Sequence, residues 1–328
     1  MMLEDENARL KRIVADLTLD KQILLRAGPA DDRRRAHGRW HTPDEEQEHR
    51  MTNDTEPKQA DDWNALAYAQ HSSLQEAMAS EVLGRLELQA DARVLDIGCG
   101  DGKLSARIAD RVPEGRVLGV DASPDMIEFA ARHFAPGGSQ ARANLRFEVM
   151  DARALDFDGE FDVIVSFNAL HWVPEQATAL RGIAAALRPQ GRAMLRLVVK
   201  GEIASLEEVA EATRALPRWA RSFAGFVDPY LRLTAPQYAQ LAEAQGLRVL
   251  SQHTQAREWD FRAPQAFIDF CSAGFGAWTS RLPEDRRDAF VQDVIDAYRV
   301  ATGHAQARAH MFGFYQMDIA LAAAPAER

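Results

Sequence analysis

Residues Val94-Leu95-Asp96-Ile97-Gly98-Cys99-Gly100-Asp101-Gly102 set an acid inside an apolar run and then a glycine at every second position. Side chains are unwelcome in so tight a turn, and the backbone can come close to a ligand lying across the end of a strand. The chemistry open to it is that of a phosphate cradle or a nucleoside cradle. Spacing narrows the choice. A dinucleotide fingerprint wants its third glycine three residues after the second, to admit close helix–strand packing. That position is Lys103 here, and the last glycine falls at Gly102. No Gly-Lys-Ser or Gly-Lys-Thr closes the loop, which excludes a P-loop. Asp96, just before the glycines, suits a ligand that presents a cation.

Two further acids follow at strand ends. Asp121 lies about twenty residues beyond the loop, where a nucleoside-binding fold places an acid that accepts both ribose hydroxyls. That position does not separate an adenosyl ligand from NAD. An acid there can also cap the next helix, although Ser123 is the better cap. Asp151, beside the backbone amide of Ala152, can accept the adenine amino group, or it is a plain loop acid. Met126 can pack on the adenine face or belong to the core. His171, in Asn168-Ala169-Leu170-His171-Trp172-Val173, either contacts substrate or orients its loop from a partly buried position.

The elements that must position these groups alternate along the chain. Apolar spacing predicts a helix over 74–88 and a first strand over 93–97 with its helix over 103–112. A second strand (115–120) precedes a helix at 124–134, and third and fourth strands span 145–150 and 161–167. A helix at 178–187 leads to a fifth strand at 191–199. A helical insertion occupies 200–245, and it contains Arg218, Trp219, Arg221, Phe223, Phe226 and Tyr230. The sheet restarts at 247–251, a helix pair covers 264–300, and 311–321 is the last strand. Strands and helices at this spacing imply a parallel sheet covered on both faces. Right-handed crossovers bring the carboxyl ends of its strands to one edge, where ligands sit.

Glycine loop, Gly119-Val120-Asp121, Asp151-Ala152, the 161–173 run and Leu187-Arg188-Pro189-Gln190-Gly191 occur in the order seen in class I S-adenosylmethionine-dependent methyltransferases. The chain resembles that family over roughly residues 90–200. The resemblance implies an α/β, doubly wound Rossmann-like sheet of seven strands, the last antiparallel. It implies S-adenosyl-L-methionine as cofactor. Asp96, Gly98 and Gly100 would line its methionine part, with Asp121 at the ribose and Asp151 at the adenine, and Cys99, Ala122, Met126 and Ala152 are the further cofactor-binding candidates. Asn168 would lie near the transferred methyl. Asn168 to Val173 and Trp63-Asn64-Ala65-Leu66-Ala67-Tyr68 are also similar to the group that contains trans-aconitate, malonyl-carrier-protein and juvenile hormone acid methyltransferases. That narrower likeness points to carboxylates on small or carrier-bound molecules. Trp63, Tyr68, His171, Trp172, Arg218 and Arg221 are the substrate candidates, the arginines as clamps for an anionic acceptor.

The chain has 328 residues, a formal net charge of −10 and 46% hydrophobic residues. One domain of some 200–250 residues with extras is expected. Acidic balance argues against a general nucleic-acid binder. The cysteines are Cys99 and Cys271, without metal-like spacing, and a reducing cytoplasm is the simpler reading. No metal site, membrane span or signal core is expected. Leu3, Leu10, Leu17 and Leu24 recur every seven residues with Asn7 and Val14 between them. This is the heptad of a short coiled coil over 1–27, favouring a homodimer, or else an amphipathic helix that packs on the domain. Leu10 to Lys21 also resembles the zipper of transposase subunits. Residues 28–62 read as a disordered linker, with Arg33-Arg34-Arg35 as solvated charge. Met51 opens a segment that reads like a fresh start, so 1–50 is expected to be dispensable for catalysis. The methyltransferase domain is expected over 63–328, with a cap insertion at about 200–245.

Methyl transfer from a sulfonium needs alignment more than a strong base. A carboxylate acceptor needs no base, whereas an amine or phenol would need His171 or Tyr68. Two rival readings are a non-catalytic cofactor-binding scaffold, dimerised by the zipper, and an NAD-dependent oxidoreductase. Intact glycines and acids count against the first, the displaced third glycine and Asp96 against the second.

Overall fold

A computed structural model describes residues 81–324, apart from 229, 231 and 304–309. The zipper, the linker, Trp63 and Tyr68 lie outside the described residues. A helical stretch at 81–85 enters the domain. It is followed by β1 (Arg93–Ile97), α1 (Lys103–Ala109), β2 (Arg116–Asp121), α2 (Pro124–Phe134), β3 (Leu145–Val149) and β4 (Phe161–Phe167). Then come α3 (Gln176–Ala186), β5 (Leu187–Val198), α4 (Leu206–Arg214), α5 (Ala235–Ala244) and β6 (Leu247–Asp260). Helices α6 (Pro264–Gly274), α7 (Gly276–Thr279) and α8 (Glu284–Thr302) precede β7 (Met311–Ala323).

The strands form one seven-stranded sheet in the order β3-β2-β1-β4-β5-β7-β6. Strands β1 to β5 are parallel, and β7 runs antiparallel between β5 and β6. The order reverses at β1, so the carboxyl ends of β1 and β4 flank the crevice where an open α/β sheet binds ligands. Alternation along β1 sends Val94 to one face and Leu95 and Ile97 to the other. Val94 packs with Ile108, Ile127, Phe134 and Phe147 beneath α1 and α2. Leu95 and Ile97 join Leu180, Ile183, Leu195 and Tyr238 beneath α3 and α5.

Where the elements differ from the sequence reading, tertiary pairing is the reason. β6 runs fourteen residues rather than five, because β7 pairs with it over its whole length. Its polar residues face solvent and give no apolar alternation to read. The expected helix pair is three helices, broken around Phe275 and again at Ser280 to Pro283. The cap is also built differently. α5 packs on the sheet through Tyr238 and Ala242, so the second half of the 200–245 insertion covers the sheet. The cap core joins Leu206, Trp219, Phe223 and Tyr230 to Phe267, Trp278, Phe290 and Tyr298 from α6 to α8. No described helix is long and apolar enough to cross a membrane.

Candidate active site at the carboxyl edge of the sheet

The glycine turn is held from beneath by β2. Gly98 and Cys99 N–H groups donate to Val120 O at 2.7 and 3.0 Å, which fixes the loop against the neighbouring strand. Gly98, Gly100 and Gly102 have φ of 73°, 53° and 77°, a region that side chains disfavour. Gly102 starts α1, and a Cβ there would meet Ala130 Cβ at 2.7 Å and Phe147 Cζ at 2.8 Å. The displaced third glycine therefore serves helix–strand packing after all, one residue early. Gly100 differs, since a Cβ on it would meet nothing within 4 Å. Its surroundings are open on the side where a ligand would pass.

Asp121 ends β2 with both carboxylate oxygens fixed by backbone, Gly100 N–H on one at 3.0 Å and Ser123 N–H on the other at 2.9 Å. Ser123 is the helix cap, accepting from Met126 N–H at 3.4 Å. Asp121 is thus free of the capping duty, and each oxygen keeps acceptor capacity toward the crevice. Asp96 is 2% exposed and accepts Ser105 Oγ–H at 2.6 Å. Burial, with the Asp121 charge nearby, pushes its carboxyl up to about 7 against that hydrogen bond. Burial also pushes the Cys99 thiol up, helped by Asp96 and Asp121, so it is no nucleophile at neutral pH.

Asp151 follows β3 and accepts Arg153 N–H at 2.8 Å, while the Arg153 guanidinium grips both its oxygens at 2.6–3.0 Å. Arg153 holds that carboxyl below its ordinary range. A base amino group there would share Asp151 with a guanidinium, a partner that no spacing announced. Ala152 opens the turn beside it, Ala122 is exposed after β2, and Met126 is buried on the first turn of α2.

β4 exits into Asn168, held at φ 58° and donating its N–H to Arg196 O at 2.8 Å. Leu170–Trp172 then form one 3-10 turn. His171 is 4% exposed, and burial lowers its pKa to about 3. The ring is neutral and a weak base, so the structure does not support it as a proton acceptor. Tyr230 of the cap stands edge-on to both His171 and Trp172, at 5.2 and 5.5 Å between centroids. Arg218 is engaged elsewhere, paired with Asp293 at 2.8 Å and lying over Trp219. Arg221 is exposed on the cap surface.

The opposed titrations of Asp96 and His171 give a sign-specific prediction. Asp96 binds its proton more tightly folded than unfolded, so it removes stability as pH rises from about 4 to 7. His171 does the reverse, removing stability as pH falls from 6.5 toward 3. Between about pH 4 and 6.5 the two slopes oppose each other. Asp96→Asn deletes one of them, and the unfolding free energy should climb with pH more steeply than in the wild type, by about 1.4 kcal/mol per unit. Urea unfolding at pH 5 and 6.5 measures the difference.

Residues 94–191 match the family model described as a methyltransferase domain. A trans-aconitate 2-methyltransferase of Variovorax paradoxus is 29% identical over 249 residues, covering 74% of this chain and 92% of that protein. One from Deinococcus radiodurans is 36% identical over 129 residues, 39% of this chain and 46% of its own length, so that match spans about half of the relative. Among solved structures, a Haemonchus contortus phosphoethanolamine N-methyltransferase 2 in complex with S-adenosyl-L-methionine superposes with a TM-score of 0.52 at 16% identity. It covers 79% of this chain and 56% of that one. A Bacillus halodurans protein described as a methyltransferase gives 0.53 at 14%, covering 75% and 98%.

Proposed function

The chain belongs to the class I S-adenosylmethionine-dependent methyltransferases, and from that premise we propose that it methylates a carboxylate oxygen of a small acid. The site's fit to the cofactor rests on Gly100, which leaves open space where any other residue would carry a Cβ. Asp96, Gly98, Cys99 and Gly100 would line the methionine part, Asp121 the ribose, Met126, Asp151 and Ala152 the adenine, and Asn168 the methyl end. Bound S-adenosylmethionine supplies a methyl group already activated by the positive charge of its sulfonium.

The chain's own work is then alignment and the exclusion of water. Asp121 fixes the glycine loop as well as offering acceptor capacity, so binding geometry and loop geometry are set by one carboxylate. The cap's aromatic core stands over the exit of β4 through Tyr230 and Trp172. The observation that carries the choice of acceptor is His171. The candidate base among the described residues is buried and has a pKa of about 3, and a carboxylate is the acceptor that needs no base. The names of the trans-aconitate methyltransferase relatives favour the same class.

Calorimetric titration with S-adenosylhomocysteine, with NAD as the comparison, tests the cofactor. Screening small mono-, di- and tricarboxylic acids for ester formation tests the acceptor. Binding of S-adenosylhomocysteine alone and an ester product are expected; turnover confined to amines or phenols would defeat the carboxylate reading. Asp121→Ala should weaken S-adenosylhomocysteine binding by ~1–3 kcal/mol through lost hydrogen bonds, and unchanged affinity would contradict the ribose role. We further assign the catalytic domain to 63–328 and a dimerising role to 1–27, so a 51–328 fragment should keep turnover while eluting as a smaller species than the full chain.

A further inference from the structure

The cap meets the exit of β4 through polar atoms that have no partner. Tyr230 is 4% exposed, as is His171, and its ring lies edge-on to the His171 ring at 5.2 Å. The Tyr230 hydroxyl and His171 Nδ1 are both buried without a hydrogen bond. Arg232 lies over the Tyr230 ring at 5.7 Å from its centroid, and its Nη1 is likewise buried and unpartnered. Such groups each cost stability when left unsatisfied, and native structures keep few of them. Three of them gathered around one aromatic contact, at the strand end where the fold binds ligands, indicate a polar group that arrives from outside.

Resting on the carboxylate reading above, we propose that Tyr230, His171 and Arg232 form a receptor for the carboxyl group of the acceptor, with Tyr230 its hydrogen-bond donor from the cap. The neutral imidazole can present Nδ1–H beside the tyrosine O–H, and Arg232, whose other terminal nitrogen is paired with Asp228, can add a charge-assisted N–H from Nη1. The acids nearest to Tyr230 are engaged: Asp228 is ion-paired with Arg232, and Glu208 caps Ser205 N–H at 3.0 Å and lies 3.7 Å from Lys200. Glu207, on the same helix, is pushed up to about 7 by burial, so it is only partly ionised at neutral pH. Tyr230 comes from the insertion and His171 from the 3-10 turn after β4, so the receptor exists only when the cap is seated. That makes it a determinant of acceptor choice, while the cofactor half of the site stands without it.

The test is Tyr230→Phe in the full chain, assayed with whichever acid of the carboxylic panel the wild type esterifies. Loss of one donor to a charged group should raise KM for that acid at least tenfold, with S-adenosylhomocysteine affinity unchanged. The melting temperature should hold or rise, because the hydroxyl has no partner in the free protein. A KM equal to that of the wild type would overturn the receptor while leaving the carboxylate reading intact. A fall in melting temperature that accounts for the lost activity would also overturn it, by making Tyr230 a packing residue. A wild type that esterifies no acid yet binds S-adenosylhomocysteine overturns the carboxylate reading and the receptor together. Arg232→Gln, which keeps donors but removes the charge, should raise the same KM, and no change would again count against the receptor.

Discussion

Replacing Asp318 by alanine should lower the unfolding free energy by about 3–5 kcal/mol, among the largest effects a single side chain here can have. Asp318 on β7 sits opposite Arg196 on β5, and the guanidinium donates to it from Nε at 2.6 Å and Nη2 at 2.8 Å. Arg196 is 1% exposed in the middle of the sheet. Removing the carboxylate leaves that charge buried, with Glu81 at 3.4 Å as a weaker counterion shared with Arg257. The pair itself is no great source of stability, since two charges must be taken out of water to make it. Hence the double variant Arg196→Met, Asp318→Leu should recover most of the loss. Urea unfolding of the single and double variants measures this, and a single-variant loss below about 1 kcal/mol would sink the argument. Cofactor binding should suffer in Asp318→Ala as well, because Arg196 O receives the Asn168 N–H at the exit of β4.

The second large effect is expected from two glycines two residues apart, for different reasons. Gly98→Ala puts a Cβ into Ala169 Cβ and forces alanine to φ 73°. Left-handed strain of about 1–2 kcal/mol adds to an overpacking cost of about 1–3 kcal/mol, so stability and ligand binding should fall together. Gly100→Ala carries the backbone strain but meets no neighbour, and its methyl would fill the space proposed for the ligand. It should lose less stability than Gly98→Ala and yet bind S-adenosylhomocysteine at least as poorly. Thermal melts and calorimetry on both variants separate the two; wild-type stability with wild-type binding in both would show that the loop tolerates side chains.

Much of the catalytic half of the molecule is legible because it is local. The turn between β1 and α1, the acid that ends β2 and the exit of β4 each lie within a few residues of a strand end, so spacing alone orders them. Asp121 illustrates this: its distance from the glycines marked it as a strand-end acid, and the structure adds the contact between its carboxylate and Gly100 N–H. Even there the partners of Asp151 escaped the reading, since a bidentate Arg153 two residues on has no spacing signature.

What the sequence by itself determined, then, is the chemistry-bearing edge: an alternation of strands and helices whose apolar periods name the five parallel strands, and glycines whose types are dictated by backbone conformation. Only the tertiary structure decided the rest. It chose Asp293, seventy-five residues away, as the partner of Arg218, which the sequence offered as a clamp for the acceptor. It folded α4 and the aromatic insertion onto α6 to α8 as one core, and left Tyr230, named only as one aromatic among several, against His171. It extended β6 along the whole of β7. The physical reason is common to all three. Local backbone preference and hydrophobic period act over one turn or one strand, whereas ion pairs, cap packing and strand length are settled by groups that meet only after the chain has closed.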